Sequence, residues 1–238
     1  MVYIFVLGLL FGLRHALDAD HIAAVASLAT RAKSRRETVR TGLAWGLGHA
    51  LTLFLVCAAV LLTDIGLPGD AALIAECAVG LMLFGLGLDV LRRAYRDRLH
   101  VHGHVHGRDG YHLHMHSHNG DGAHEASTHR HGHANGLPAR ALVVGLMHGL
   151  AGSAALLVVA VAEMGSVANG LIYVALFGVG SMIGMAVLSF TIALPMRHAT
   201  RYLTFGFNGL NAAVGIGTAA LGVFLVWQTA PAVAGLLG

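Results

Sequence analysis

Residues 2–29 read VYIFVLGLLFGLRHALDADHIAAVASLA, an apolar run long enough to cross a bilayer as a helix, interrupted by Arg14, His15, Asp18, Asp20 and His21. At 1.5 Å per residue the run extends about 42 Å, more than the roughly 30 Å of bilayer hydrocarbon, so it must tilt or break. It lacks a basic start, and its polar interruption reads as a span rather than a cleavable leader. Five further apolar runs cover roughly residues 39–63, 71–92, 139–163, 168–194 and 203–229. Of the 238 residues, 56% are hydrophobic and only 11% charged, whereas soluble domains carry about 25% charged residues. That composition excludes a water-soluble enzyme, and it is too apolar for disorder over most of the chain. Cys57 and Cys77 both lie in apolar runs, which gives neither a disulfide framework nor a CxxC motif. The expected fold class is an all-α polytopic membrane protein with six transmembrane helices.

Basic residues orient these spans. Arg31, Lys33, Arg35, Arg36 and Arg40 follow the first; Arg92, Arg93, Arg96, Arg98, Arg108, Arg130 and Arg140 lie between the third and fourth; Arg197 and Arg201 lie between the fifth and sixth. The alternate connections hold Asp64, Asp70 and Glu163 and no Lys or Arg. The positive-inside rule puts the three basic connections in the cytoplasm and both chain ends outside, N-out and C-out, in an inner cell membrane.

The two halves resemble each other. Gly12-Leu13-Arg14-His15 parallels Gly145-Leu146-Met147-His148 at an offset of 133, and Gly48-His49-Ala50 parallels Gly180-Ser181-Met182 at an offset of 132. Three helices per half make the second half enter from the opposite side, a 3+3 inverted repeat of the kind that secondary transporters use. The expected units are residues 1–95, a first three-helix repeat; 96–137, a histidine-rich cytoplasmic loop that is disordered when apo; and 138–238, a second three-helix repeat. Chance similarity between glycine-rich helices competes with this reading, and the agreement of the two offsets favours the repeat.

Charged groups in a bilayer core are costly unless they are paired, hydrated or metal-bound, which makes the interruption of the first span a candidate site. An Arg14–Asp18 ion pair would explain two of its residues and leave His15, Asp20 and His21 without a role. On an ideal helix His15, Asp18 and His21 fan over one side, with Arg14 inside the fan, while Asp20 points about 140° away from His15. Asp20 therefore has another role, or the helix is irregular there. His49 and His148 lie at similar depth in the second and fourth spans. A lone helical histidine is usually a packed core residue, but three at one depth beside carboxylates point to a shared site. Imidazole and carboxylate without thiolate suit divalent Ni, Co, Zn or Fe. Glu76 and Glu163 lie toward the outer ends of their spans, and Asp89 is placed to pair with Arg92 or Arg93 at the inner boundary.

Twelve of the seventeen histidines fall between residues 100 and 133: His100, His102, His104, His106, His112, His114, His116, His118, His124, His129, His131 and His133. This segment is polar and glycine-rich with no core-forming pattern, so it reads as a disordered loop that binds divalent ions at the inner mouth. The bland alternative is a solvated linker.

The stretch RHALDADHI at Arg14–Ile22 resembles the signature of the nickel/cobalt transporter (NiCoT) superfamily, a histidine, four residues, then Asp-His, here His15, Asp20 and His21. WGLGHA at Trp45–Ala50 is similar to the superfamily's second motif around Gly-His-Ser, with Ala50 in place of the serine. The likeness is good over the first two spans and weakens in the second half, where the acidic motifs of larger members give way to GLMHGLAGS at Gly145–Ser153 and GSMIGM at Gly180–Met185. The short six-helix layout is more like the urease-accessory-type branch. The resemblance implies uptake of nickel or cobalt, although relatives with histidine-rich loops are exporters, and it implies cytoplasmic metallochaperones or urease and hydrogenase maturation proteins as recipients.

The sequence thus predicts a transporter, not an enzyme, for Ni²⁺ or Co²⁺ as substrate. It needs no prosthetic group, has the lipid bilayer as its medium, and has no nucleic-acid partner. His15, Asp18, His21 and His49 are the expected ligands, Asp20 orients a ligand or closes a gate, His148 completes the site, and Arg14 offsets acid charge when the site is empty. Because ligation needs neutral imidazoles, uptake is expected to fall as the medium is acidified. The rivals are a zinc or other divalent-metal carrier or exporter, a membrane-embedded metal hydrolase, and a non-transporting metal donor or sensor.

Overall fold

The structure is a computed structural model that describes residues 2–32, 34–63, 69–96, 100–105, 111–116, 138–150, 161, 165–202 and 204–237. Its helices are α1 (Val2–His15), α2 (Ala19–Ala29), α3 (Arg35–Thr63), α4 (Gly69–Arg96), α5 (Ala139–His148), α6 (Val167–Tyr202) and α7 (Thr204–Leu237). Stretches of α3, α4, α6 and α7 (Arg36–Thr63, Gly69–Arg96, Val167–Leu194 and Asn208–Leu236) are long and apolar enough to cross a membrane. The first apolar run, read from sequence as one span, is two helices: α1 stops at His15 and α2 starts at Ala19. Of the fourth run, α5 is described to His148, and residues 151–160 lie outside the described residues.

Leu55, Leu81, Val187, Ile216 and Trp227 are exposed, while His21, His49, His148, Ser181 and Thr218 are buried. A soluble domain places these groups the other way round. Here an apolar solvent receives the leucines, and the interior gathers the polar groups.

The main packing pairs are α4 with α7, α3 with α6, α1 with α6, and α3 with α5. Each joins a helix before the histidine-rich segment to one after it. Glycines set the distances. A Cβ on Gly12 would overlap the Phe177 carbonyl of α6, and one on Gly180 would overlap the Leu9 carbonyl of α1. Likewise, Gly145 of α5 lies on the Trp45 carbonyl of α3, and Gly48 of α3 lies on the Leu142 carbonyl of α5. Between α4 and α7, Gly80 faces Gly222 and Gly87 faces Gly215, again at backbone contact.

At one end of the bundle Asp89 of α4 accepts hydrogen bonds from Arg31, Arg93 and Arg140, while Arg93 also donates to the Thr30 hydroxyl at 3.0 Å. The sequence paired Asp89 with its near neighbours. The structure adds Arg31, which follows α2, and Arg140 at the start of α5.

Within residues 96–137, the described residues 100–105 and 111–116 are extended. Strands β1 (His100–Val105) and β2 (Tyr111–His116) form an antiparallel ribbon in which His100 pairs with His116, His102 with His114 and His104 with His112. The physical reason is the alternation itself: histidine at every second position, with Val101, Val105 and Tyr111 among the residues between, has the two-residue period of a strand. His106, His118, His124, His129, His131 and His133 lie outside the described residues. Apart from this ribbon, every regular element among the described residues is a helix.

Candidate metal centre

The break in the first span begins where α-helical hydrogen bonding tightens. The amides of Leu17 and Asp18 donate to the carbonyls of Arg14 and His15, three residues back, at 2.9 and 3.1 Å. Asp18 is extended (φ −65°, ψ 149°) and its carbonyl starts α2 by accepting from the Ile22 amide at 2.9 Å. Aspartate is a favoured N-cap, yet the Asp18 side chain does not cap α2. Its carboxylate lies 2.9 Å from His15 Nδ1 instead.

Five of the residues singled out in the sequence come together around this break. His15, His21, His49 and His148 are all buried, the last three almost completely. The ring centroids of His15 and His21 are 4.3 Å apart, as are those of His21 and His148, and His49 is 5.0 Å from His21. Asp20 bridges two rings, with one oxygen 2.9 Å from His21 Nδ1 and the other 2.9 Å from His148 Nε2. The backbone break removes the 140° misalignment that an ideal helix would impose on Asp20.

Donor atoms form two overlapping triads, His15–His21–His49 and Asp20–His21–His148, each with its atoms within 4.8 Å of one another. His21 belongs to both. Asp18 and Arg14 stand outside them: the Asp18 side chain is 56% exposed, and the exposed Arg14 makes no ion pair among the described residues. Asp18 therefore orients His15, which is the geometry of an outer-shell carboxylate.

Proton placement follows from chemistry. An ionised carboxylate only accepts, so His15 and His21 each donate from Nδ1, and His148 donates from Nε2. His15 Nε2 is then bare and accepts from His49 Nε2 at 3.2 Å. His21 Nε2 is also bare. It is buried and has no hydrogen-bond partner among the described residues, and the same holds for Nδ1 of His49 and of His148. A buried lone pair without a donor is costly, and a cation satisfies it.

The helix ends add to this field. α1 and α5 both finish at the cluster, on His15 and His148, so two negative helix ends point at it. The positive start of α2 also lies there, and Asp18 and Asp20 offset it.

With this geometry in view, comparison with known proteins is informative. Over 202 residues the chain is 28% identical to the urease accessory protein UreH of Bacillus sp. (strain TB-90), an alignment that covers 84% of this chain and 81% of the relative. No family model matches the chain, and no solved structure matches it.

Two aromatic walls had no assigned role in the sequence reading. Trp45 is fully buried, with its ring 5.3 Å from His21 and 5.5 Å from His148. Phe177 of α6 lies 5.3 Å from His15. The first was findable, because Trp45 is four residues before His49 and shares its helix face. Nothing in the sequence pointed to Phe177.

Substituting Asp20 by asparagine tests the bridging role. The variant keeps the shape but loses the charge and one of two acceptor oxygens, each of which serves a different imidazole. Metal affinity is expected to fall by about 10–100-fold, as is usual for outer-shell partners. Equilibrium dialysis of the purified protein reads this directly, and unchanged affinity would show that Asp20 does not support the cluster.

Proposed function

We propose that this chain carries a divalent transition-metal ion, Ni²⁺ or Co²⁺, across the membrane through the histidine cluster. The observation that carries the reading is the bare Nε2 of His21, buried where two donor triads overlap. His15, His21 and His49 are the primary ligands; Asp18 and Asp20 hold their rings; His148 takes over as the ion moves to the second triad. Imidazole-rich sites suit Ni and Co, and the His-X₄-Asp-His motif links them to the superfamily that the sequence resembles. The likeness to a urease accessory protein supports nickel as the cargo and urease or hydrogenase maturation proteins as recipients.

The proposed mechanism is alternating access between two inverted halves of three helices each. The packing supports it. Exchanging the halves turns α1 against α6 into α5 against α3, and the Gly12–Gly180 crossing into the Gly145–Gly48 crossing. It also exchanges the Gly80–Gly222 and Gly87–Gly215 contacts. The helix ends at His15 and at His148 then occupy equivalent places; in transporters, helix ends of this kind meet near the midplane. Clustering of Arg31, Arg93 and Arg140 on Asp89 supports a common cytoplasmic face for those helix ends.

Flux into proteoliposomes with a panel of Ni, Co, Zn, Fe and Mn, under an imposed pH gradient, tests this reading. Saturable Ni²⁺ or Co²⁺ flux that disappears in the His49→Ala variant is the expected result. Preference for Zn²⁺ would replace the cargo, and metal binding without flux would reject transport.

A further inference from the structure

We propose that the ion travels between the histidine cluster and the arginine-bearing end of the bundle through the cleft between α2, α3 and α6, with Trp45 as the plug at its inner end. The proposal rests on the cluster being the ion site. Trp45 belongs to both places: its ring stands edge-on to His148 at 89°, and the same residue lines a cleft together with Leu28, Thr38, Thr41, Gly42 and Ser189. Thr38, Thr41, Gly42 and Trp45 recur at intervals of three and four along α3, so they form one face of that helix. From Trp45 to Thr38 this face covers about 10 Å, and it ends beside Arg35, Arg36 and Arg40.

The lining has the chemistry of a passage for a partly hydrated cation. Thr38 and Ser189 are buried and Thr41 is half-buried on a wall whose other side chains are apolar. The Thr38 and Thr41 hydroxyls donate to the carbonyls of Ser34 and Glu37. Their oxygen lone pairs therefore remain available to a metal-bound water or to the ion. The Trp45 indole N–H is buried and without a hydrogen-bond partner among the described residues, so turning the ring away breaks no bond it now makes. The cleft is too narrow to admit a water molecule here. Ser189 lies against Gly42 at its waist, so separation of α6 from α3 is the movement that opens it.

The test places Thr41→Cys in a full-length background with Cys57→Ala and Cys77→Ala, reconstituted in proteoliposomes. A charged methanethiosulfonate reagent added at the arginine-bearing side is expected to reduce Ni²⁺ flux at least tenfold. Ni²⁺ affinity measured in detergent should be unchanged by the same modification. Ser189→Cys provides a second position should the first fold poorly. Leu43→Cys, on the outward face of the same turn, is the control and keeps its flux after modification. Complete modification at Thr41→Cys and Ser189→Cys with undiminished flux overturns the route, as does a failure of both to react during active transport. Loss of Ni²⁺ binding in His49→Ala alongside such a result confines the failure to the route, whereas retained binding in His49→Ala removes the site as well.

Discussion

Nickel affinity is expected to fall by more than about 100-fold in the His21→Ala variant, beyond the range of outer-shell changes. His21 is the residue common to both donor triads, and its buried Nε2 has no hydrogen-bond partner among the described residues. The substitution also takes one of two imidazoles from Asp20, leaving a carboxylate held by His148 alone among the described side chains. Asp20→Asn weakens the support of the site and leaves every imidazole in place, so the order of effects should be His21→Ala well above Asp20→Asn. Isothermal titration with Ni²⁺ measures both, and a thermal unfolding curve for each variant separates loss of ligand from loss of fold. Wild-type affinity in folded His21→Ala would sink the assignment.

Gly145→Ala is expected to disturb the fold and the site together. The added methyl would overlap the Trp45 carbonyl, with the Trp45 carbonyl carbon 2.9 Å away, and backbone cannot step aside as a flexible side chain can. Overpacking of this kind costs roughly 1–3 kcal/mol, and a backbone clash lies at the upper end. For a chain of this size each kcal/mol lowers the thermal midpoint by about 2–4 °C. α5 must move away from α3, and His148, the last residue of α5, moves with it, three residues beyond the substitution. Ni²⁺ affinity should therefore fall as well. Gly85→Ala is the contrast, because nothing lies within 4 Å of the added methyl. It should be neutral or stabilising by up to about 1 kcal/mol through helix propensity. Similar midpoints for the two variants would show that the α3–α5 contact is not tight.

Much of the site was legible in the sequence because charge in an apolar run is expensive. That expense singles out His15, Asp18, Asp20 and His21 against their neighbours, and common depth adds His49 and His148. Roles were less legible. The two aspartates are alike by composition and only two residues apart. Asp18 sits at the break and faces outward to His15, whereas Asp20, inside the first turn of α2, reaches His21 and His148. A uniform helix of 100° per residue could not produce that division, and only the irregular backbone at residues 16–18 does. The histidine-rich segment is a different case: its low complexity suggested no structure, while its two-residue period is compatible with the ribbon of residues 100–105 and 111–116.

By itself, the sequence determined that this chain presents its apolar surface to an apolar medium, and which few polar residues that medium makes significant. Both follow from one-dimensional quantities: transfer cost, run length and the distribution of Arg and Lys. Only the tertiary structure decided which nitrogens of His21, His49 and His148 lack a partner, that Asp20 reaches a histidine 128 positions away, and that Trp45 both touches the cluster and lines a cleft. Those facts depend on ring orientation and on backbone contacts between distant glycines, and no local pattern in the chain encodes either.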